Sequence, residues 1–351
     1  MLRYYTKVCN FYYGSHSRDL VNKKKAYPLH QIKEISFDQI EIISRKSKKK
    51  ISINQIKYLP KPLKKKINFD LKKIRSKKKN FSNLNFKKLP NILGVLNLTP
   101  DSFSDGGRFN TKKKGIKQAI HLLNYGANLI DVGGESTRPG SKTIKESLEW
   151  SRINKVLKFL IKKKIPISLD TRKSNIMEKG IDLGVRLIND VSGLDFDINT
   201  INVLKRYRVP FVIQHTQGIP ETMQKKPSYK NELLDIYDFF EKKIGLIRSK
   251  GINHNNIILD PGIGFGKNLK HNMNLIRNIS IFHSLGFPIL VGNSRKKFIK
   301  ELSEKNDSKF RIGGTMASSI YLMMQGVQIL RVHDVNEIMQ GLKVFKKIIN
   351  N

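Results

Sequence analysis

Residues 91–107 read NILGVLNLTPDSFSDGG, an apolar run, Ile92-Leu93-Gly94-Val95-Leu96, that stops abruptly in polar and glycine-rich sequence. A strand apolar on both faces, with no alternation, belongs in a parallel sheet covered on both sides. It delivers Asn97 to a loop at its carboxyl end, where ligands of such sheets bind. The pattern recurs down the chain. Further strands are expected at Asn128–Val132, Ile165–Leu169, Arg186–Ile188, Phe211–Ile213, Ile257–Leu259, Pro288–Val291 and Gln328–Val332, with the first at Ile92–Leu96. Between them lie segments of helical period such as Gly115–Asn124, Ile144–Lys164, Leu233–Ser249, Met273–Leu285, Gly314–Met324 and Val335–Ile349. Several stop at a glycine, at Gly126, Gly184, Gly251, Gly286 and Gly326, as a left-handed C-terminal cap requires. Eight strand-helix units within residues 91–351 match the ~250 residues typical of a closed (β/α)8 TIM barrel. An open doubly wound sheet is the alternative, but no GxGxxG follows the first strand, and Gly262-x-Gly264-x-Gly266 comes late with other spacing.

Residues 1–90 differ. KSKKK, KPLKKK and RSKKKN repeat like charges, and Asp70 is the one acid between Arg45 and Pro90. The reading is an irregular, partly ordered, basic extension to which Ile35–Phe37 and Ile40–Ile43 add a strand or two, outside a barrel domain at 91–351. The barrel is expected to fold and work without residues 1–85. MLRYYTKVCNFYYGSHSR lacks acids but has no clear amphipathic pattern, so targeting is not expected. The net charge of +39 suits a polyanion. Lys, Asn and Ile are enriched together, however, and the Lys pairs read as solvated helix faces, so a nucleic-acid partner is not expected. Hydrophobic content of 39% supplies a core, and the single cysteine, Cys9, excludes an internal disulfide framework. No apolar run approaches the roughly 18 residues of a spanning helix, so no membrane partner is expected and a soluble, cytoplasmic protein is.

In a barrel, polar residues just after each strand converge on one mouth. Here they are Asn97, Asp131 with Glu135, Asp170, Asn189 with Asp190, Gln214 with His215, Asp260, Ser294 to Lys296, and Arg331 with His333. Asp170, Asn189 and Asp260 offer carboxylate and amide edges to a heterocycle with adjacent N–H donors. Arg331, His333 and Asn97 offer donors to an oxyanion. A flat, amide-like ring joined to a phosphate or pyrophosphate satisfies both. The spacing builds no all-protein metal cage, so a Mg²⁺ would be shared with phosphate oxygens. Neither a Ser/His/Asp set nor a GxSxG elbow occurs.

Seven stretches in order, LNLTPDSFSDGG (96–107), DVGGESTRPGS (131–141), SLDT (168–171), IND (188–190), LDPGIGFGKN (259–268), GNSRK (292–296) and RVHDV (331–335), resemble the signatures of the dihydropteroate synthase family. The resemblance covers 91–351. It implies a (β/α)8 barrel that joins 6-hydroxymethyl-7,8-dihydropterin diphosphate to 4-aminobenzoate (p-aminobenzoate) with release of pyrophosphate, and a homodimer. It further implies that Asp170, Asn189, Asp260 and Lys296 hold the pterin beside Phe265, and that Asn97, Arg331 and His333 hold the diphosphate, Asn97 also reaching Mg²⁺. Thr137, Arg138, Pro139, Phe103 and Ser294 would surround the aminobenzoate, with loops 99–107 and 133–141 closing over the mouth. Gln214 and Asn293 depart from the family's more apolar residues and put pocket affinity in question. A pterin-binding, corrinoid-linked methyltransferase would share the Asp/Asn edge but has no use for STRPG, SRK and RVHD together. A non-catalytic, polyanion-binding role of the extension is the rival of another class.

Overall fold

The computed structural model describes residues 3–99, 111–138, 140–304 and 307–349. Residues 5–75 are not irregular. Strand β1 (Tyr5–Tyr13), helix α1 (Gly14–Asn22), strands β2 (Tyr27–Leu29), β3 (Ile32–Ile43) and β4 (Lys48–Ser52), and helix α2 (Lys61–Arg75) form an antiparallel sheet backed by helices. Central β3 pairs with β1 along one edge and with β2 and β4 along the other. The Lys runs hid this unit. Lys48, Lys49 and Lys50 are exposed on an outer strand, where charge blocks further pairing. Meanwhile Val8, Leu29, Phe37, Ile40, Ile67, Leu71 and Ile74 build a separate core beneath.

The barrel follows. Its strands are β5 (Asn91–Asn97), β6 (Leu129–Gly133), β7 (Ile167–Asp170), β8 (Leu187–Asp190), β9 (Phe211–Gln214), β10 (Ile257–Asp260), β11 (Leu290–Val291) and β12 (Ile329–Val332). They run parallel in the order β10-β9-β8-β7-β6-β5-β12-β11, and a bridge from Leu259 to Ile289 spans the remaining seam. The connecting helices are α3 (Thr111–Asn124), α4 (Glu146–Lys162), α5 (Ser174–Leu183), α6 (Thr200–Tyr207), α7 (Glu232–Ser249), α8 (Leu269–Arg277), α9 (Lys297–Ser303), α10 (Ile312–Met324) and α11 (Val335–Ile349). Two details differ from the periodic reading. The expected Met273–Leu285 helix is α8 followed by a tighter 3₁₀ segment, Ile279–Leu285, and the seventh unit gains short α9 before α10. All five expected glycine stops take positive φ. At Gly326 a side chain would also collide, because a Cβ there would lie 2.3 Å from Leu29 Cδ2 of the N-terminal unit. Among the described residues no helix is long and apolar enough to cross a membrane.

The N-terminal unit closes the barrel's floor. Leu129, Leu187, Leu290 and Ile329 open their strands, and with Leu93, Val212 and Ile258 they form one cluster with Ile32, Leu84, Phe86 and Leu89 from upstream. The unit is then fastened to the outside. Arg45 pairs with Asp235 at 2.8 Å and Asp238 at 2.9 Å on α7, Ser280 Oγ donates to Val8 O, and Lys78 Nζ donates to Gly286 O. His30 and His283 meet in the same seam, Nε2 to Nδ1 at 3.3 Å.

Burial holds both histidines below their ordinary value, His283 at about 4, helped by the nearby Lys78 cation. Both are neutral when folded, whereas unfolded chains protonate near 6.5. Stability from this seam is therefore complete above about pH 6.5 and is lost as pH falls toward about 4. Between about pH 7 and about pH 5 the thermal midpoint should fall more in the wild type than in a His30→Gln, His283→Gln double variant. Parallel melting curves would remove the seam from the pH response.

Candidate active site

Five of the eight barrel strands end in a polar residue, and parallel order points all the strand ends at one mouth. Asn97, Asp170, Asp190, Gln214 and Asp260 are the last residues of their strands. Above them opens a cavity of about 520 Å³, within the range of small-molecule sites. Asn97, Thr137, Arg138 and Phe265 line it, together with Ser294, Lys296, Arg331 and His333. Asp170, Asn189 and Asp260 lie deeper, at 5%, 1% and 3% exposure. Phe103 and Pro139 fall outside the described residues, as does most of the 99–107 loop.

Arg331 joins the two halves. Its Nε donates to Asp131 Oδ2 and its Nη2 to Asp170 Oδ2, both at 2.6 Å. Asn189 Nδ2 donates to the same Asp131 oxygen at 3.0 Å. The local pairing with Asp334 that a surface arginine would make belongs instead to Arg295, whose Nε lies 2.9 Å from Asp334 Oδ2. Asp131, fully buried, thus organises Arg331 and Asn189 from below. Its place among the strand-end residues was visible in the sequence, but nothing there assigned it this work.

Three oxygens on this floor, Asp131 Oδ1, Asp170 Oδ1 and Asn189 Oδ1, are buried without a hydrogen-bond partner among the described residues. Buried acceptors left unpaired are costly, so a ligand carrying adjacent N–H donors fits them. Asp260 is braced differently, its Oδ1 accepting the Gly262 N–H at 2.7 Å. Gly262 is required there, at φ 69°, because a Cβ would lie 2.0 Å from His215 O.

Burial raises the carboxyls of Asp170 and Asp260, Arg331 opposing it in both cases. Burial also works against the charge on Arg331, yet Asp131 and Asp170 hold its pKa above the ordinary value. Lys296 is lowered, by burial first and by Arg331 next, and its Nζ sits 4.0 Å from the centre of the Phe265 ring. Lys297 turns out to solvent, 69% exposed, against Glu301.

At the anion side, burial and the surrounding cations hold His333 well below its ordinary value. Its own backbone N–H donates to Ser294 Oγ, leaving that hydroxyl proton for His333 Nδ1 at 3.1 Å. The neutral ring then carries its proton on Nε2 and remains a donor. Ser294, expected beside the aminobenzoate, is therefore also a brace for His333.

The departures at Gln214 and Asn293 resolve differently. Gln214 donates weakly to Val191 O at 3.4 Å from a buried position. Asn293 bonds Thr315 O and the Ser318 and Ser319 hydroxyls, so it ties β11 to α10 and is not a wall of the cavity. Asp190 Oδ1 accepts from the Ser192 N–H and hydroxyl within its own turn, while its Oδ2 is buried without a partner among the described residues. Lys267 escaped notice in the sequence. It is buried, donates to Phe265 O at 2.8 Å and meets His215 Nδ1 at 3.0 Å, and burial lowers it to about 7.

An eight-unit barrel with a paired Asp/Asn/Arg floor under a basic rim defines a pterin-type pocket, and the Pterin binding enzyme family matches residues 93–333. Dihydropteroate synthase of Synechocystis is 39% identical over 254 residues, 72% of this chain and 88% of that protein. The Yersinia pestis dihydropteroate synthase in complex with a sulfonamide drug superposes with a TM-score of 0.72 at 37% identity, covering 76% of this chain and 97% of that one. The Xanthomonas albilineans enzyme in complex with 7,8-dihydropteroate gives 0.68 at 30%, covering 76% and 95%. The chain belongs to the dihydropteroate synthase family of transferases. The family match begins at residue 93, so the N-terminal sheet lies outside it.

Proposed function

We propose that the chain condenses 6-hydroxymethyl-7,8-dihydropterin diphosphate with 4-aminobenzoate, forming 7,8-dihydropteroate and releasing pyrophosphate. The observation that carries this is the row of unpaired acceptor oxygens on Asp131, Asp170 and Asn189 beneath a rim of Lys296, Arg331 and His333. The dihydropteroate seen in the Xanthomonas relative supports it. Asp170, Asn189 and Asp260 take the N–H edge of the pterin, with Phe265 and Lys296 across its face. Arg331 and His333 Nε2 take the diphosphate, which leaves with the electrons of the C–O bond. Developing charge there is what preorganised donors stabilise. Thr137, Arg138, Pro139, Phe103 and Ser294 receive the aminobenzoate, whose amine is neutral at pH 7 and needs no general base. Its proton leaves after the N–C bond forms.

No group of three His, Cys, Asp or Glu able to hold a metal occurs among the described residues. The Asn97 amide oxygen on the cavity wall is a hard donor that fits Mg²⁺ shared with diphosphate oxygens. Bound there, the ion would neutralise charge on the leaving group. A homodimer belongs to the same reading, which sedimentation would test. A cytoplasmic location accords with these soluble substrates.

Formation of dihydropteroate by purified protein tests the reading directly. Lys296→Ala should weaken pterin diphosphate binding and turnover together, each by about tenfold or more, since a charge-assisted contact is lost. Wild-type kinetics in that variant would pass the role to another cation of the rim.

A further inference from the structure

At the base of the 136–143 loop, beside the cavity whose wall Glu135 joins, lies an ion network that none of the substrate contacts proposed above uses. Glu135 Oε1 accepts from Lys173 Nζ and from the Ile144 N–H, and Oε2 accepts from Arg172 Nε, all at 2.9 Å. Lys173 also reaches Glu149 Oε2 at 2.6 Å, and Glu149 Oε1 accepts from the Thr171 hydroxyl. Two acids face two bases, with side chains at most 5% exposed. The bond from Glu135 to Ile144 N–H closes the loop at its base, across the segment bearing Thr137 and Arg138. Arg172 Nη2 reaches farther, to Thr143 Oγ1 at 2.9 Å. Thr143 donates through both N–H and hydroxyl to Glu221 Oε1, and Gly140 N–H donates to Pro220 O at 2.8 Å.

We propose that Glu135, clamped by Arg172 and Lys173, is a positioning residue that holds the segment bearing Thr137 and Arg138 at the cavity wall and thereby sets affinity for the amine substrate. This rests on the aminobenzoate subsite proposed above. The network touches the barrel through β6, α4 and the residues after β7, so the loop is fixed from three elements while its tip contacts a fourth, the segment after β9. Free surface loops rarely have such support. In sequence Glu135 stands among the residues of the mouth while Arg172 and Lys173 look like ordinary loop charges, and only the fold brings the three together.

Glu135→Gln keeps the oxygen for Ile144 but removes the charge facing two cations. Thr143→Val removes one exposed hydroxyl and leaves every buried charge in place. Glu135→Gln should raise KM for 4-aminobenzoate about tenfold, and Thr143→Val about fivefold, with KM for the pterin diphosphate unchanged. Amide exchange in the 136–144 segment should speed up in both variants, a readout independent of turnover. If Glu135→Gln does not fold, Thr143→Val decides alone. Amine KM within about twofold of wild type, with exchange unchanged, overturns the proposal. So does an equal rise for both substrates, which would mark general damage to the mouth. A wild type that forms no dihydropteroate would instead refute the assigned reaction, while faster loop exchange in the variants would still register the anchor.

Discussion

Arg331→Ala is expected to slow turnover by roughly 10²-fold or more, the scale of losing one donor aimed at developing negative charge. Its position makes the loss broader than that of an anion contact. The guanidinium lies across Asp131 and Asp170, and its removal leaves two buried carboxylates facing one another. Breaking such a buried pair costs about 3–5 kcal/mol of stability, so the thermal midpoint should fall as well. Without the opposing cation the Asp170 carboxyl, already raised by burial, rises further and holds its proton at neutral pH. A protonated Asp170 has lost acceptor capacity, so binding of a pterin fragment without diphosphate should weaken at pH 7 and recover as pH rises. Inhibition by pyrophosphate with Mg²⁺ should weaken at every pH. Arg331→Lys should not restore either property, because a point charge cannot span two carboxylates as the planar fork does. Unchanged pyrophosphate inhibition in a folded Arg331→Ala protein would remove the eighth strand end as the leaving-group site.

The second large effect concerns the extension. Although the sequence presents residues 1–85 as dispensable, their deletion is expected to give an aggregating or uncooperatively melting protein. It removes Ile32 and Leu84 from the floor cluster and uncovers the face of α7 and residues 278–286 against which β1 packs. Each fully buried aliphatic side chain contributes about 1.5–3 kcal/mol, against a total stability of about 5–15 kcal/mol. Losing several at once leaves little margin. Leu84→Ala isolates the floor from the rest and should cost about 2–5 kcal/mol in denaturant melts. A soluble truncated protein that melts cooperatively at the full-length temperature, with normal synthase activity, would show that the floor contributes nothing.

The difference between those two regions explains what was legible. Strands β5 to β12 are buried on both faces, so each announced itself as an apolar run, and parallel order then carried Asn97, Asp170, Asn189, Asp260 and Arg331 to one mouth without further information. The N-terminal sheet buries parts of both faces, Ile42 in its own core and Ile43 against the barrel, so β3 shows no clean alternation, and the lysine runs of β4 and α2 hide it further. Contacts between distant side chains were invisible for another reason. Asp131 under Arg331, or Lys173 between Glu135 and Glu149, depends on which neighbours the barrel closure supplies, and no local spacing encodes that.

Closure itself has an order imposed by translation. Strand β5 pairs with β12, so the first barrel strand waits for residues 329–332 before its outer edge is satisfied. The floor segment precedes β5 in the chain and is attached to a unit with its own core. Domains fold as units during synthesis, those nearest the N-terminus first. As β5, β6 and β8 leave the ribosome, Leu93, Leu129 and Leu187 therefore meet a surface already formed. The nascent half-barrel gathers on a template, shielding a sticky intermediate that a barrel starting at residue 91 would present to its neighbours.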